Sequence, residues 1–217
     1  MSALYAVIGA GGCGRGVMPL ARAQLDRLGI DRCCLFFVDD ALAGSDVNGQ
    51  RVLSYQQFLC ETASVRYAVV AIANAITRER IALSCQADSI LPWSVTASNV
   101  VFMDDVSIGI GAILSPFVTL TSNIIIGKHF QANLYSYVEH DCVVGDYVTF
   151  APGVMCNGNV HIEDYAYIGA GAVIRQGIHG APLIIGRGAV VGMGAVVTKS
   201  VPSGSTVVGN PARRLIK

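Results

Sequence analysis

Apolar residues recur along this chain with two different periods, and the period changes near Trp93–Asn99, just after Pro92. Before the change, short unbroken apolar runs alternate with helical stretches. Leu4–Ile8 is a buried-type strand, followed by Gly9-Ala10-Gly11-Gly12-Cys13-Gly14 and a helix to about Leu28. Cys33–Val38 is a second strand, closed by Asp39-Asp40; Tyr67–Ile72 is a third, and Thr77 opens another helix. Such alternation predicts a parallel α/β unit. After the change, a step of six takes over. Phe102, Ile108, Leu114, Leu120, Ile126, Ala132, Val138, Val144, Phe150, Cys156, Ile162, Ile168 and Ile174 form an unbroken apolar series. A small or apolar side chain follows most of them four residues on, as at Ala112, Val118, Cys142, Val154 and Ala166.

A hexapeptide period predicts a parallel β-helix, each unit giving one short strand and one turn. Three units close an 18-residue triangular coil, so residues 18 apart stack at about 4.8 Å. The stepping residue fills the prism. The phase slips between Ile174 and Ile185, eleven residues instead of twelve, which predicts a small external loop at Gly177–Leu183. A prism of this kind needs its outer faces covered, which self-association achieves. The two patterns divide the chain into domains at 1–97 and 98–217.

Composition narrows the function. Fifteen basic and fifteen acidic side chains give no net charge, which argues against a nucleic-acid binder working through a basic face. No apolar run approaches the ~18 residues of a membrane-spanning helix, and the start lacks the basic segment of a signal peptide. Seven cysteines with no C-x-x-C pair fit a reduced, cytoplasmic protein in which they serve as small buried hydrophobes.

The order of motifs resembles the bacterial sugar acyltransferases of the sialic acid O-acetyltransferase type, most of all the N-acetyltransferases of nucleotide-linked 4-amino sugars. The carriers are Val7-Ile8-Gly9-Ala10-Gly11-Gly12, Phe37-Val38-Asp39-Asp40, Ala71-Ile72-Ala73-Asn74, Val138-Glu139-His140-Asp141-Cys142, Cys156-Asn157-Gly158-Asn159-Val160 and Val208-Gly209-Asn210-Pro211-Ala212-Arg213. The resemblance implies a small Rossmann-like domain followed by a left-handed parallel β-helix. It implies acetyl-CoA as co-substrate, a nucleotide-linked 4-amino-4,6-dideoxy sugar as acceptor, a homotrimer, and a place in the cytoplasmic synthesis of a bacterial surface glycan.

Candidate site residues follow. Gly9-x-Gly11-x-x-Gly14 between strand and helix is a phosphate-cradling turn; the half is too short for a full dinucleotide fold. The resemblance makes Gly9, Gly11, Gly12, Asp39, Asp40, Ala73 and Asn74 nucleotide-sugar contacts. The family often has His where Cys13 stands. His140 points out of the prism, two residues after inward Val138, and neutral imidazole suits a general base at pH 7. Asp141 is the candidate to orient it. Gly158 lies 18 residues after His140, one coil along on the same face; the resemblance gives its amide the thioester oxygen. Acetyl-CoA would meet Thr149, Gly158, Gly169, Ala170, Gly188, Lys199 and Arg213, Thr149 standing where some relatives have a second His. Gamma-class carbonic anhydrases build a zinc site on the same prism, but His129, His140, His161 and His179 lack their short spacing, so no metal is expected and His129, His161 and His179 are read as surface residues. Transfer to a hydroxyl, as on sialic acid, and non-catalytic nucleotide-sugar binding are the rival functions.

Overall fold

The computed structural model describes residues 3–215. The chain divides into one compact unit of Met1–Ala97 with Gly111–Ile113 and another of Ser98–Ile110 with Leu114–Lys217.

In the first unit, β1 (Ala3–Ile8), β2 (Leu35–Val38), β3 (Asp46–Val47), β4 (Gln50–Leu53), β5 (Val65–Val70) and β6 (Leu91–Pro92) form a sheet in the order β3-β4-β2-β1-β5-β6. Every pairing is parallel except the β3–β4 hairpin. Helices α1 (Gly12–Arg27), α2 (Tyr55–Cys60) and α3 (Ala75–Ala87) connect the strands. The central strands are almost wholly buried because each face carries its own apolar cluster. Val7, Phe37 and Val69 pack with Val17, Met18, Ala21 and Leu25 of α1, whereas Ala6, Val38 and Val70 pack with Phe58 of α2 and Cys85 of α3. This two-faced burial is what the parallel strands at the centre of a sheet need. The second strand starts at Leu35 instead of Cys33, because Asp31 caps a 3₁₀ turn over Arg32–Cys34. Helix α1 starts inside the glycine motif. A Cβ on Gly14 would overlap the Gly9 carbonyl oxygen, so only glycine lets the helix approach the strand end. Gly14→Ala is therefore expected to lower the unfolding free energy by about 1–3 kcal/mol, the range for forced overpacking, as read from urea denaturation.

The second unit is a parallel β-helix of strands two or three residues long. One face stacks Val101–Phe102, Thr119–Leu120, Tyr137–Val138, Met155–Cys156, Val173–Ile174 and Val196–Val197. A second stacks Val106–Ile108, Ile124–Ile126, Val143–Val144, Val160–Ile162 and Leu183–Ile185; a third includes Gln131–Ala132, Thr149–Phe150, Tyr167–Ile168, Val190–Val191 and Thr206–Val208. The register steps by 18, as in Thr119 to Tyr137 to Met155 to Val173. The stepping residues from Leu114 to Ile174 are all buried, with the four-on positions beside them in one core. Phe102 departs from the pattern at 48% exposed, because its strand is at the edge of its face and has a neighbour on one side only.

The slip is the external loop expected at Gly177–Leu183. Ile162 pairs with Ile185, 23 residues on, so five extra residues leave the coil; Ile178 and Ala181 pair across the resulting turn. Left-handed backbone recurs every sixth residue at the corners, at Asp105, Phe117, Asn123, His129, Tyr135, Asp141, Tyr147, Asn159 and Tyr165, with Gly111, Gly153 and Gly171 in the same phase. Like side chains then stack 18 apart. The rings of His129, Tyr147 and Tyr165 lie 5.1 and 5.6 Å apart, which buries His129 where a surface residue was expected. All seven cysteines are free, but only Cys85, Cys142 and Cys156 are buried; Cys33 and Cys60 are exposed, against the expectation of seven core thiols.

Candidate active site

The corner that follows strand Tyr137–Val138 carries the candidate catalytic residues. Val138 and Cys142 turn into the prism and Glu139, His140 and Asp141 span the corner between them. Asp141 takes the left-handed conformation with φ 58°, and its carboxylate lies beside the preceding side chain. His140 Nδ1 and Asp141 Oδ2 are 2.7 Å apart. The other carboxylate oxygen accepts from Asn123 Nδ2 at 3.2 Å, one coil before. Asn123 was not read as a site residue, although stacking 18 residues before Asp141 was the signal that finds it.

One coil after His140 sits Gly158. A Cβ there would stand 2.5 Å from His140 Nε2 and 2.6 Å from Cε1, so the imidazole packs directly on the glycine backbone. Its N–H was expected to wait for a thioester oxygen. In the structure it donates to Glu139 Oε2 at 3.2 Å, so an acyl oxygen takes this donor only after Glu139 moves aside. Asn159 N–H donates to the His140 carbonyl at 2.9 Å and ties the two coils together.

The Asp141 hydrogen bond raises the His140 pKa above 6.5, outweighing desolvation. The same bond, with Asn123, holds the Asp141 carboxyl below its usual range. An ionised Asp141 accepts, so Nδ1 carries the proton and Nε2 keeps its lone pair beside Gly158. A base works only when neutral, so its rate falls as pH drops through this raised pKa. The acid limb of kcat/KM is therefore expected above pH 6.5. Asp141→Asn removes the charge that favours imidazolium, so the limb moves to lower pH while the plateau rate falls; a pH–rate profile checks both.

The nucleotide-contact candidates gather in the first unit. Ile8, Gly9, Val38, Asp39, Asp40 and Tyr55 line a cleft of about 340 Å³. Asp39 accepts from Ala10 N–H at 2.9 Å and Ala41 N–H at 3.1 Å, joining the glycine turn to the end of β2; Asp40 accepts from Tyr55 N–H at 2.8 Å. A Cβ on Gly11 or Gly12 meets nothing within 4 Å, so the protein's own packing does not require glycine there. Asn74 is engaged elsewhere: its side chain caps α3 by accepting from Thr77 N–H at 2.9 Å. Ala73 is exposed, and its carbonyl accepts from buried Arg78 at 3.0 Å, as that of Ile72 does at 2.7 Å. Sequence reading missed Arg78 because an arginine inside a helix reads as solvent-facing.

The coenzyme candidates are dispersed. Lys199, Arg213 and Ala170 are exposed. Gly188 is a left-handed turn residue with open space around it. Thr149, in strand Thr149–Phe150, is only 2% exposed, and Gly169 is pressed against the Gly192–Met193 backbone, so both serve the coil's packing in this structure. Among the described residues no three His, Cys, Asp or Glu side chains come together as metal ligands, and no helix is long and apolar enough to cross a membrane. His161 lies exposed on a sheet face and His179 in the inserted loop.

No family model matches the chain. It is 53% identical to the GDP-perosamine N-acetyltransferase of Escherichia coli O157:H7 over 212 residues, 98% of this chain and 96% of that protein. Among solved structures, WeeI from Acinetobacter baumannii AYE superposes with a TM-score of 0.97 at 55% identity, covering 99% of this chain and all of that one. The acetyltransferase domain of PglB from Neisseria gonorrhoeae FA1090 gives 0.85 at 31% identity over 97% and 98%; the same domain has been solved with acetyl coenzyme A. With a hexapeptide coil, an outward His–Asp pair over a glycine backbone and relatives that match end to end, the chain belongs to the hexapeptide-repeat N-acetyltransferases of nucleotide-linked amino sugars.

Proposed function

We propose that this protein transfers the acetyl group of acetyl-CoA to the 4-amino group of GDP-perosamine, a 4-amino-4,6-dideoxy sugar nucleotide, in the cytoplasmic synthesis of a surface glycan. The observation that carries the chemistry is the His140 imidazole, oriented by Asp141 and seated on Gly158. The near-complete match to the E. coli enzyme supports the nucleotide and the sugar. Residues 1–97 act as a Rossmann-like nucleotide-sugar domain, with Gly9, Gly11, Gly12, Asp39 and Asp40 toward the nucleotide and Ala73 and Asn74 through their backbone. Residues 98–217 act as a left-handed β-helix that binds acetyl-CoA, with Ala170, Gly188, Lys199 and Arg213 as contacts. A homotrimer is supported by the exposed row Ile125, Val143, His161 and Ile184 on one sheet face, apolar but for its histidine, where Ile125 is 60% exposed.

The neutral sugar amine attacks the thioester carbonyl carbon. Negative charge develops on the carbonyl oxygen and is met by the Gly158 N–H once Glu139 releases it. His140 Nε2 takes the proton that the nitrogen sheds as the C–N bond forms, and the imidazolium returns it to sulfur as the C–S bond breaks, so coenzyme A leaves as its thiol. No acyl-enzyme is needed. Cys142 and Cys156 are both 0% exposed and point into the core, which supports a direct transfer.

The test is coenzyme A release from acetyl-CoA with GDP-, UDP- and dTDP-linked 4-amino sugars. Turnover is expected with the GDP sugar. Turnover confined to a sugar without an amine, or to another nucleotide, overturns the substrate.

A further inference from the structure

The proposed chemistry leaves two buried thiols unused directly behind the site. Cys142 Sγ lies 3.4 Å from the Val160 nitrogen, whose N–H donates to it, and 3.3 Å from the Asn157 carbonyl oxygen, to which its S–H donates. Cys156 Sγ is 3.8 Å from the same oxygen. That carbonyl and the Gly158 N–H belong to one peptide unit. A trans peptide is planar with its C=O and N–H on opposite sides, so holding the oxygen inward aims the hydrogen outward.

The two ends of this peptide are anchored independently. Asn157 donates from Nδ2 to the Ile174 carbonyl at 2.8 Å, and its Oδ1 accepts from Tyr137 OH at 2.9 Å. Gly158 accepts from Gly177 N–H at 2.9 Å. Those bonds fix where the ends lie. They leave the tilt of the plane between them to rotation at a glycine, which resists it weakly. The partner of the Asn157 oxygen therefore sets that tilt.

We propose that Cys142, seconded by Cys156, is a positioning residue: its thiol clamps the Asn157 carbonyl inside the prism and so aims the Gly158 amide at the acyl oxygen. Donation into the carbonyl also polarises the amide and strengthens its N–H as a donor. The proposal rests on the transfer chemistry above for its effect on rate, but the clamp itself belongs to the resting protein.

Three replacements separate hydrogen bonding from packing. Serine keeps a donor and an acceptor, alanine keeps neither, and valine fills the space with neither. Cys142→Ala is expected to lower kcat by about fivefold, the worth of one ordinary hydrogen bond, with KM for both substrates nearly unchanged. Cys142→Ser restores kcat and Cys142→Val does not. In ligand-free protein labelled with ¹⁵N-glycine, the Gly158 amide resonance shifts in the Ala and Val variants and returns in Ser. Rescue by Val and not by Ser would make the thiol a packing group and overturn the clamp. So would an unmoved Gly158 resonance in Cys142→Ala, whether or not the wild-type protein turns over the GDP sugar.

Discussion

His140→Ala is expected to abolish useful turnover, lowering kcat by about 10²–10⁴, the usual contribution of a positioned general base. The fold should be untouched. The side chain is 45% exposed and its structural bonds are to Asp141, itself 40% exposed, so nothing in the core depends on the imidazole. What is lost is the proton acceptor at Nε2, held in the right tautomer by Asp141 and Asn123. Coenzyme A release measured beside a thermal melt checks both halves. Binding of acetyl-CoA should survive, since the imidazole is needed only as nitrogen sheds its proton. Asn123→Ala leaves the base and its main partner in place, so its loss should be much smaller than that of His140→Ala.

Gly158→Ala is the second large effect, and it acts on catalysis, not on folding. The new methyl would stand 2.5 Å from His140 Nε2 and 2.6 Å from Cε1. Backbone is not in its way; the contact is the far end of a half-exposed side chain, which swings out. Gly158 is not among the left-handed residues, so alanine adopts its backbone without strain. The base is displaced by an ångström or more from the amide it works beside, and misplacement of that size costs about 10² in rate. Gly177 is the control. A Cβ there runs into the Asn159 carbonyl, main chain that has nowhere to go. Gly177→Ala should therefore unfold at lower denaturant concentration, while Gly158→Ala keeps its midpoint and loses its rate. Parallel urea titrations and kcat measurements separate the two.

The coil was legible because its rule is spatial. A prism with three sides of six residues places every stepping residue inward, so the apolar positions announce the architecture and the 18-residue distance announces which residues are neighbours. His140 and Gly158 are such a pair. The same arithmetic links Asn123 to Asp141, and it marks the orienting amide equally well. The external loop at Gly177–Leu183 was legible as a break in phase, but not its five extra residues, because eleven residues fit either two short steps or one long one and only the pairing of Ile162 with Ile185 distinguishes them. The left-handed corners left little mark, since Asp, Asn, His, Tyr and Phe all occupy them.

The α/β half was less open. Strands β3 and β4 were not read from the sequence, although Asn48-Gly49, with φ of 52° and 73°, is the two-residue turn that joins hairpins. Ser54 and Gln57 likewise form a capping box that starts α2. Asn74, read as a ligand contact, also has a structural duty that the sequence did not announce, since its side chain caps α3. Thr149 and Gly169 serve strand packing in this structure, and no spacing rule distinguishes such a position from a ligand contact.

The most direct measurement is the structure of the product formed from [1-¹³C]acetyl-CoA and GDP-perosamine, followed by NMR with the wild-type protein and with His140→Ala. The expected result is a labelled amide carbonyl coupled to the proton of the nitrogen at C4, formed by the wild-type protein and absent with the variant. A labelled ester on a sugar hydroxyl, or an amide formed as fast without His140 as with it, would contradict the account.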